Sequence, residues 1–249
     1  MQRLPTAIQI TTNWFEALRA IPRGRSATAR DRLSHVPRDR PEQPVDESPR
    51  VEPVTLDRLD DVVDVFADAF HDYPVMRFTV GAEGDVDARV RRLVRLFVTR
   101  RTARGGPMYG VAGAGGGLAG ATLLTLPVEP PPPAHVAEIS AAAWRELGDA
   151  ARLRYDAYAA TSGFFGELPP HHHLNMIGVR RADAGTGLGR RLLDAVRRLA
   201  EEDPHSAGVS LTTENLRNVE LYSHFGYELI GHAPVAPGLE TWGLFLRVR

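Results

Sequence analysis

Two stretches of this 249-residue chain have residue types and spacing suited to chemistry. The first is Ile177-Gly178-Val179 followed by Gly185-Thr186-Gly187-Leu188-Gly189-Arg190. It reads as a strand running into a glycine-rich turn that opens a helix. Free N–H groups at a helix start, aided by the helix dipole, attract an anion. Glycine lets the backbone come close to a bulky diphosphate, and Arg190 and Arg191 add positive charge. The second stretch is Thr213-Glu214-Asn215 through Tyr222 and Gly226-Tyr227. Asn215 and Tyr222 are nearly two helical turns apart, so they face the same way. A third cluster is His171-His172-His173. Strand alternation puts His171, His173 and Asn175 on one face and His172 on the other. The triple is therefore not a compact metal site, and no metal is expected.

Composition excludes several other chemistries. All 30 basic residues are arginine, and both lysine and cysteine are absent. Zero cysteine rules out disulfides, thiolate metal sites and a cysteine nucleophile. Zero lysine rules out a Schiff-base lysine and the phosphate-binding lysine of a P-loop. The spacing G-x-G-x-G, late in the chain, is not the dinucleotide fingerprint G-x-G-x-x-G. A net charge of −1 argues against a nucleic-acid partner. No apolar run approaches the roughly 20 residues of a membrane span, so no membrane partner is expected. Coding bias in a GC-rich genome is the plain cause of the arginine-only set.

These residues need a scaffold, and the pattern supplies one from Val51 onward. Residues 1–50 carry nine arginines against six acids and little apolar period. They are expected to be largely disordered, with a short amphipathic helix possible over residues 8–20. Val51–Thr55 reads as a strand and Leu56–Phe70 as a helix with Thr55 as its N-cap. His71-Asp72-Tyr73-Pro74 breaks that helix, and Asp85–Arg104 is a second one. Met108–Gly113 and Leu118–Leu126 are strands around Gly115-Gly116-Gly117. Residues 127–170 form an insert with a proline-rich connector and a helix over Glu138–Ala160. Then follow strand His171–Val179, helix Arg190–Glu202, strand Gly208–Thr213 and helix Leu216–Phe225. Gly226 closes that last helix, and strands Tyr227–Gly231 and Thr241–Val248 end the chain. The order predicts an α+β, or mixed α/β, layout around one sheet.

The glycine loop and the Asn–Tyr–Gly helix, in this order and spacing, resemble the GCN5-related N-acetyltransferase (GNAT) superfamily. Its pyrophosphate motif Q/R-x-x-G-x-G/A appears here as Ala184-Gly185-Thr186-Gly187-Leu188-Gly189. Its following helix, with Asn, Tyr and a Gly-Phe ending, appears as Asn215, Tyr222 and Gly226-Tyr227. The resemblance covers roughly residues 51–249 and implies one domain with a central twisted, mostly antiparallel sheet flanked by helices. Arg217-Asn218-Val219, Thr241-Trp242 and the stretch with Phe70, Asp72 and Pro74 look most like puromycin-type antibiotic N-acetyltransferases.

The resemblance also implies acetyl-CoA as co-substrate and direct transfer to a primary amine of a small molecule, in a cytoplasmic monomer or homodimer. Gly185 to Arg190 would hold the pyrophosphate. Backbone N–H groups around Ile177, Gly178 and Val179 would meet the thioester carbonyl. Asn215 would bond the pantetheine arm, or else cap its helix. Tyr222 would protonate the leaving thiolate. His173 is the candidate base, with Glu214, Asp72 and Glu167 as rivals, or a water relay. One departure is Ala184, where the family has Gln or Arg. It leaves pyrophosphate binding to the backbone, with Arg190 or Arg181 in support. It also keeps open a non-catalytic CoA-binding module. A protein acetyltransferase, acting on lysine or an N-terminus, is the other alternative.

Overall fold

The computed structural model describes residues 10–11, 49–161, 163 and 168–249. Seven strands form an open sheet in the order β2 (Val51–Val54), β3 (Met108–Ala112), β4 (Leu118–Thr125), β5 (His172–Val179), β6 (Gly208–Thr213), β8 (Leu239–Arg247), β7 (Glu228–Ala236). All neighbours along this path are antiparallel except β5 and β6. The two-residue strand β1 (Ile10–Thr11) lies off the path, parallel to β5. The expected α+β class and mostly antiparallel sheet are thus present. None of the described helices is long and apolar enough to cross a membrane.

Every residue of β5 is buried, as is all of β4 except Thr125. Strands buried on both faces need cover on both faces. Helices α1 (Leu59–Ala69), α2 (Pro74–Val80), α3 (Val86–Thr102), α4 (His135–Leu147) and α5 (Asp149–Ala159) supply it on one side. On the other side lie α6 (Leu188–Glu202) and α7 (Leu216–His224), where Leu188, Leu192, Val196 and Tyr222 pack on Leu174, Ile177 and Leu211. Gly120 makes that approach possible. A Cβ there would sit 2.9 Å from Val179 and 3.0 Å from Leu192.

Several sequence expectations need correction. Leu56–Arg58 is a 3-10 turn, the α-helix starts at Leu59, and the Thr55 side chain caps neither. The segment after the break at His71–Pro74 is itself a helix, α2, with Pro74 at its first position, where its missing N–H costs nothing. The single helix over Glu138–Ala160 is two, parted by Gly148 at φ 88°, a value L-residues avoid. Most of residues 1–48 lie outside the described set. Within residues 8–20, Ile10–Thr11 is strand, not helix.

Two irregularities in the sheet matter most. Along β4 and β5 the pairing moves from Leu123–Met176 to Leu124–Leu174. Asn175 is thus the extra residue of a β-bulge, a device that bends the strand and sharpens its twist. On its other edge β5 meets β6 at only two pairs, His172–Val209 and His173–Ser210. Beyond them the two strands part, while β6 stays paired to β8 as far as Thr213–Trp242. The sheet therefore has a wedge-shaped gap running from Leu174 to Val179.

Candidate active site

At the end of β5 the chain makes the glycine turn that the sequence predicts. Gly185 and Gly187 have φ of 81° and 83°. A Cβ at either would touch nothing within 4 Å, so conformation, not space, demands glycine. Between them, Thr186 Oγ1 donates to Asp183 O at 2.6 Å and fixes the turn. Gly187 is the N-cap of α6, and among the described residues no side chain caps that end. Capping at this helix start is thus left to solvent or a ligand, at the positive end of a 15-residue dipole. Arg190 stands exposed beside it, 3.8 Å from Asp194. Arg181 is committed elsewhere: its backbone N–H and guanidinium both bind Asp68, at 2.7 and 3.0 Å. Arg190 is therefore the better placed of the two to offset Ala184.

The wedge opens beside this turn. Ile177, Gly178 and Val179 pair with β4 through Thr122, Ala121 and Gly120, and their other edge borders the gap. Part of that edge is in use, because β1 pairs Ile10 with Met176 and Thr11 with Ile177. The gap accepts an extended chain running parallel to β5.

Across the wedge, Asn215 caps α7, with its side-chain oxygen accepting from Arg217 N at 3.1 Å. Tyr222 is 1% exposed and meets Tyr227 edge to face at 5.5 Å. Asn218 Nδ2 donates to Thr213 Oγ1 at 3.2 Å, tying α7 to the end of β6.

His172 parts from the other two histidines, while the rings of His171 and His173 stand edge to face, 6.4 Å apart. His171 bonds Pro169 O through Nδ1 at 2.7 Å and abuts Phe245. His172 faces the α6 side, against Ser206 Oγ at 3.0 Å and Asp203 at 3.5 Å. His173 faces the other side, with Nδ1 on Ser210 Oγ. Burial holds the His173 pKa well below the usual histidine range, and the charges of Arg101 and His171 lower it further. Among the described residues no group of histidines and carboxylates is placed to hold a metal.

Of the rival bases, Asp72 is exposed and lies near Arg77 and His71, and Glu167 is outside the described residues. Glu214 is different. It is 5% exposed, and its Oε1 accepts from Tyr158 OH at 2.9 Å and Thr241 Oγ1 at 2.7 Å. Its backbone N–H donates to Tyr73 OH at 3.0 Å. Oε2 is buried with no hydrogen-bond partner among the described residues. Burial raises the carboxyl pKa from 4.5 to about 8, against the opposing hydrogen bonds from Thr241 and Tyr158. Sequence reasoning missed the three groups that hold Glu214. Tyr73, Tyr158 and Thr241 come from the N-cap of α2, from α5 and from β8, and no local spacing links them.

Glu214 also lines a cleft of about 620 Å³ under the β7–β8 turn, with Pro234 to Gly238, Glu240 and Trp242. The glycine turn and α6 cover one face of the sheet, with α7, whereas Tyr73 and Tyr158 lie on the other. The wedge between β5 and β6 joins the two faces.

Residues 137–242 match a family model described as an acetyltransferase (GNAT) domain. That span contains β5, the glycine turn, α6, β6 and α7. The fold is similar to a solved histone acetyltransferase HPA2 and related acetyltransferase from Corynebacterium glutamicum, at 21% identity and TM-score 0.57, covering 80% of this chain and 96% of that one. It is also similar to an agmatine N-acetyltransferase, at 16% identity and TM-score 0.56, covering 81% and 100%. A polyamine N-acetyltransferase of Drosophila melanogaster gives 16% identity and TM-score 0.52, covering 80% and 100%. These likenesses establish a GNAT fold.

Proposed function

We propose that this chain is an acetyl-CoA-dependent N-acetyltransferase acting on a primary amine of a small molecule. The observation that carries the reading is the coincidence of two features. A sheet gap with an extended-chain-sized slot opens beside an uncapped, glycine-framed helix start. CoA needs both, since its pantetheine arm is an extended amide chain and its pyrophosphate is an anion. The GNAT family match over residues 137–242 supports the same donor.

In this reading the N–H groups at the start of α6, with Arg190, hold the pyrophosphate. Asn215, or the β5 edge from Ile177 to Val179, bonds the arm. Backbone N–H groups on that edge stabilise the oxyanion, which pre-set donors do at no reorganisation cost. Attack is direct, because the chain has no cysteine to carry an acetyl group. Tyr222 gives the thiolate its proton. His173 is retained as a candidate base, acting from its neutral form. Its burial beside Arg101 opposes protonation, which makes that role costly. Agmatine and polyamine acetyltransferases among the similar folds support a small cationic acceptor. An amine-bearing antibiotic is the candidate acceptor that the puromycin-type resemblance adds.

Thiol release from acetyl-CoA, measured against a panel of primary amines, tests this. Turnover with at least one amine is expected. CoA binding with no turnover on any amine would leave a non-catalytic binding module instead. A Tyr222→Phe variant is expected to lose rate most where thiolate protonation limits turnover. An unchanged pH–rate profile would remove Tyr222 from the reaction.

A further inference from the structure

The cleft under the β7–β8 turn has a chemistry of its own. Its described lining includes two carboxylates, Glu214 and Glu240, and no arginine. The remaining walls are Pro234, Val235, Ala236 and Pro237, which are apolar, and the indole of Trp242. His232 stacks on Trp242 with ring centroids 5.2 Å apart and planes at 14°, which fixes the indole plane. Carboxylates beside an aromatic face suit an organic cation. Within this lining, Glu214 Oε2 is buried and has no donor among the described residues. A buried carboxyl oxygen in that state costs free energy that a ligand N–H would return. Glu214 is also the first residue after β6, the strand that bounds the wedge.

We propose that this cleft binds a primary organic ammonium with an apolar body, and that Glu214 is the carboxylate that takes its proton. The proposal rests on the amine-acetyltransferase reading and names the acceptor class of that site. The ammonium transfers H⁺ to ionised Glu214, leaving a neutral amine and a carboxylic acid. The amine lone pair forms the new N–C bond at the thioester carbonyl, and the C–S bond breaks. The proton shed by the nitrogen reaches the thiolate, giving amide and free CoA. Glu214 then returns its proton to water. Tyr158 and Thr241 hold the carboxyl through Oε1, which leaves Oε2 for the amine. A carboxyl pKa near 8 sits within reach of the pKa of a bound ammonium, so little energy is lost in the transfer.

The test has a binding arm and a kinetic arm. Calorimetric titration at pH 8.5 compares 2-phenylethylamine with its neutral analogue 2-phenylethanol on wild type, Glu240→Gln and Glu214→Gln. Wild type is expected to prefer the amine by at least about tenfold, and either variant to reduce that preference. Glu240 is exposed, so its variant reports binding even if Glu214→Gln misfolds. Equal affinity for alcohol and amine on the wild type would overturn the cleft assignment. In the kinetic arm, Glu214→Gln is expected to lose at least about a hundredfold in kcat/KM with CoA affinity kept. It should also lose the limb of the pH profile near 8. Wild-type turnover and an unshifted profile in that variant would overturn the role of Glu214 while leaving the acetyltransferase reading intact. Amine preference in the cleft without turnover on any amine would instead sink the acetyltransferase reading alone.

Discussion

Replacing Glu214 by Gln should flatten the pH dependence of stability, and the size of the effect follows from its surroundings. The carboxyl lies at the end of β6, almost wholly buried, with Tyr158 and Thr241 donating to Oε1 and no described residue paired to Oε2. Burial holds its proton, raising the pKa from 4.5 to about 8. Between those values the folded chain binds more protons than the unfolded one, so stability falls as pH rises. The contribution is fully present below pH 4.5 and is lost through pH 8. At roughly 1.4 kcal/mol per pKa unit, this one site removes about 2–3 kcal/mol between pH 5 and 7, and about 4 kcal/mol by pH 9. Glutamine keeps the size and the Oε1 acceptor but cannot ionise. Its buried amide adds an offset of about 1–3 kcal/mol that does not vary with pH. Urea unfolding of both proteins at pH 5, 7 and 9 separates the two effects. The gap between wild type and variant should change steadily with pH in favour of the variant. Parallel curves would refute the protonated carboxyl, and with it the pH-matched transfer from an ammonium.

Three other perturbations have defined outcomes. Gly187→Ala places a Cβ at φ 83°, which costs about 1–2 kcal/mol. Relieving that strain re-aims the first N–H groups of α6, so calorimetry should show CoA affinity reduced about tenfold, with amine binding in the distant cleft unchanged. Glu129→Gln takes from Arg101 and Arg104 the carboxylate they share. A cost of about 3 kcal/mol in denaturant unfolding is expected, since Arg101 is nearly buried, and a loss below about 1 kcal/mol would show the pair to be dispensable. A chain beginning at residue 49 lacks β1, which uses the β5 edge at Met176 and Ile177. It should bind CoA more tightly than the full chain, and equal affinity would show that β1 does not compete for the slot.

What the sequence made legible was whatever depends on neighbours along the chain. The glycine turn, the start of α6 and the closure of α7 by Gly226 at φ 88° are local matters of allowed φ and free N–H groups. The opposite faces of His172 and His173 follow from strand alternation alone. Gly148 was legible in principle, since glycine inside an apolar helical pattern signals an end as well as a weak spot. What stayed hidden depends on partners far apart in sequence. The hydroxyls on Glu214 come from residues 56 and 27 positions away, and the one on its backbone N–H from 141 away. Nothing in the text around Tyr73 or Tyr158 marks them as its partners.

The wedge in the sheet belongs to the hidden part, and it ties the two halves of the site together. β5 reads as a strand paired on both edges, and all of its residues are buried, including His172, His173 and Asn175. Its bulge at Asn175 appears only when it is set against β4. The extra residue turns β5 just past His173, and the pairing with β6 stops at that same residue. β6 does not follow, because β8 holds it over all six of its residues. One strand is bent and its neighbour is held straight, so a gap must open between them. The gap faces the uncapped α6 on one side of the sheet. On the other side β6 ends at Thr213, bonded to Tyr73, and delivers Glu214 to the cleft. A donor bound from one face and an amine bound from the other would meet there without either crossing the sheet. That arrangement suits direct transfer, which needs both reactants held together in one geometry.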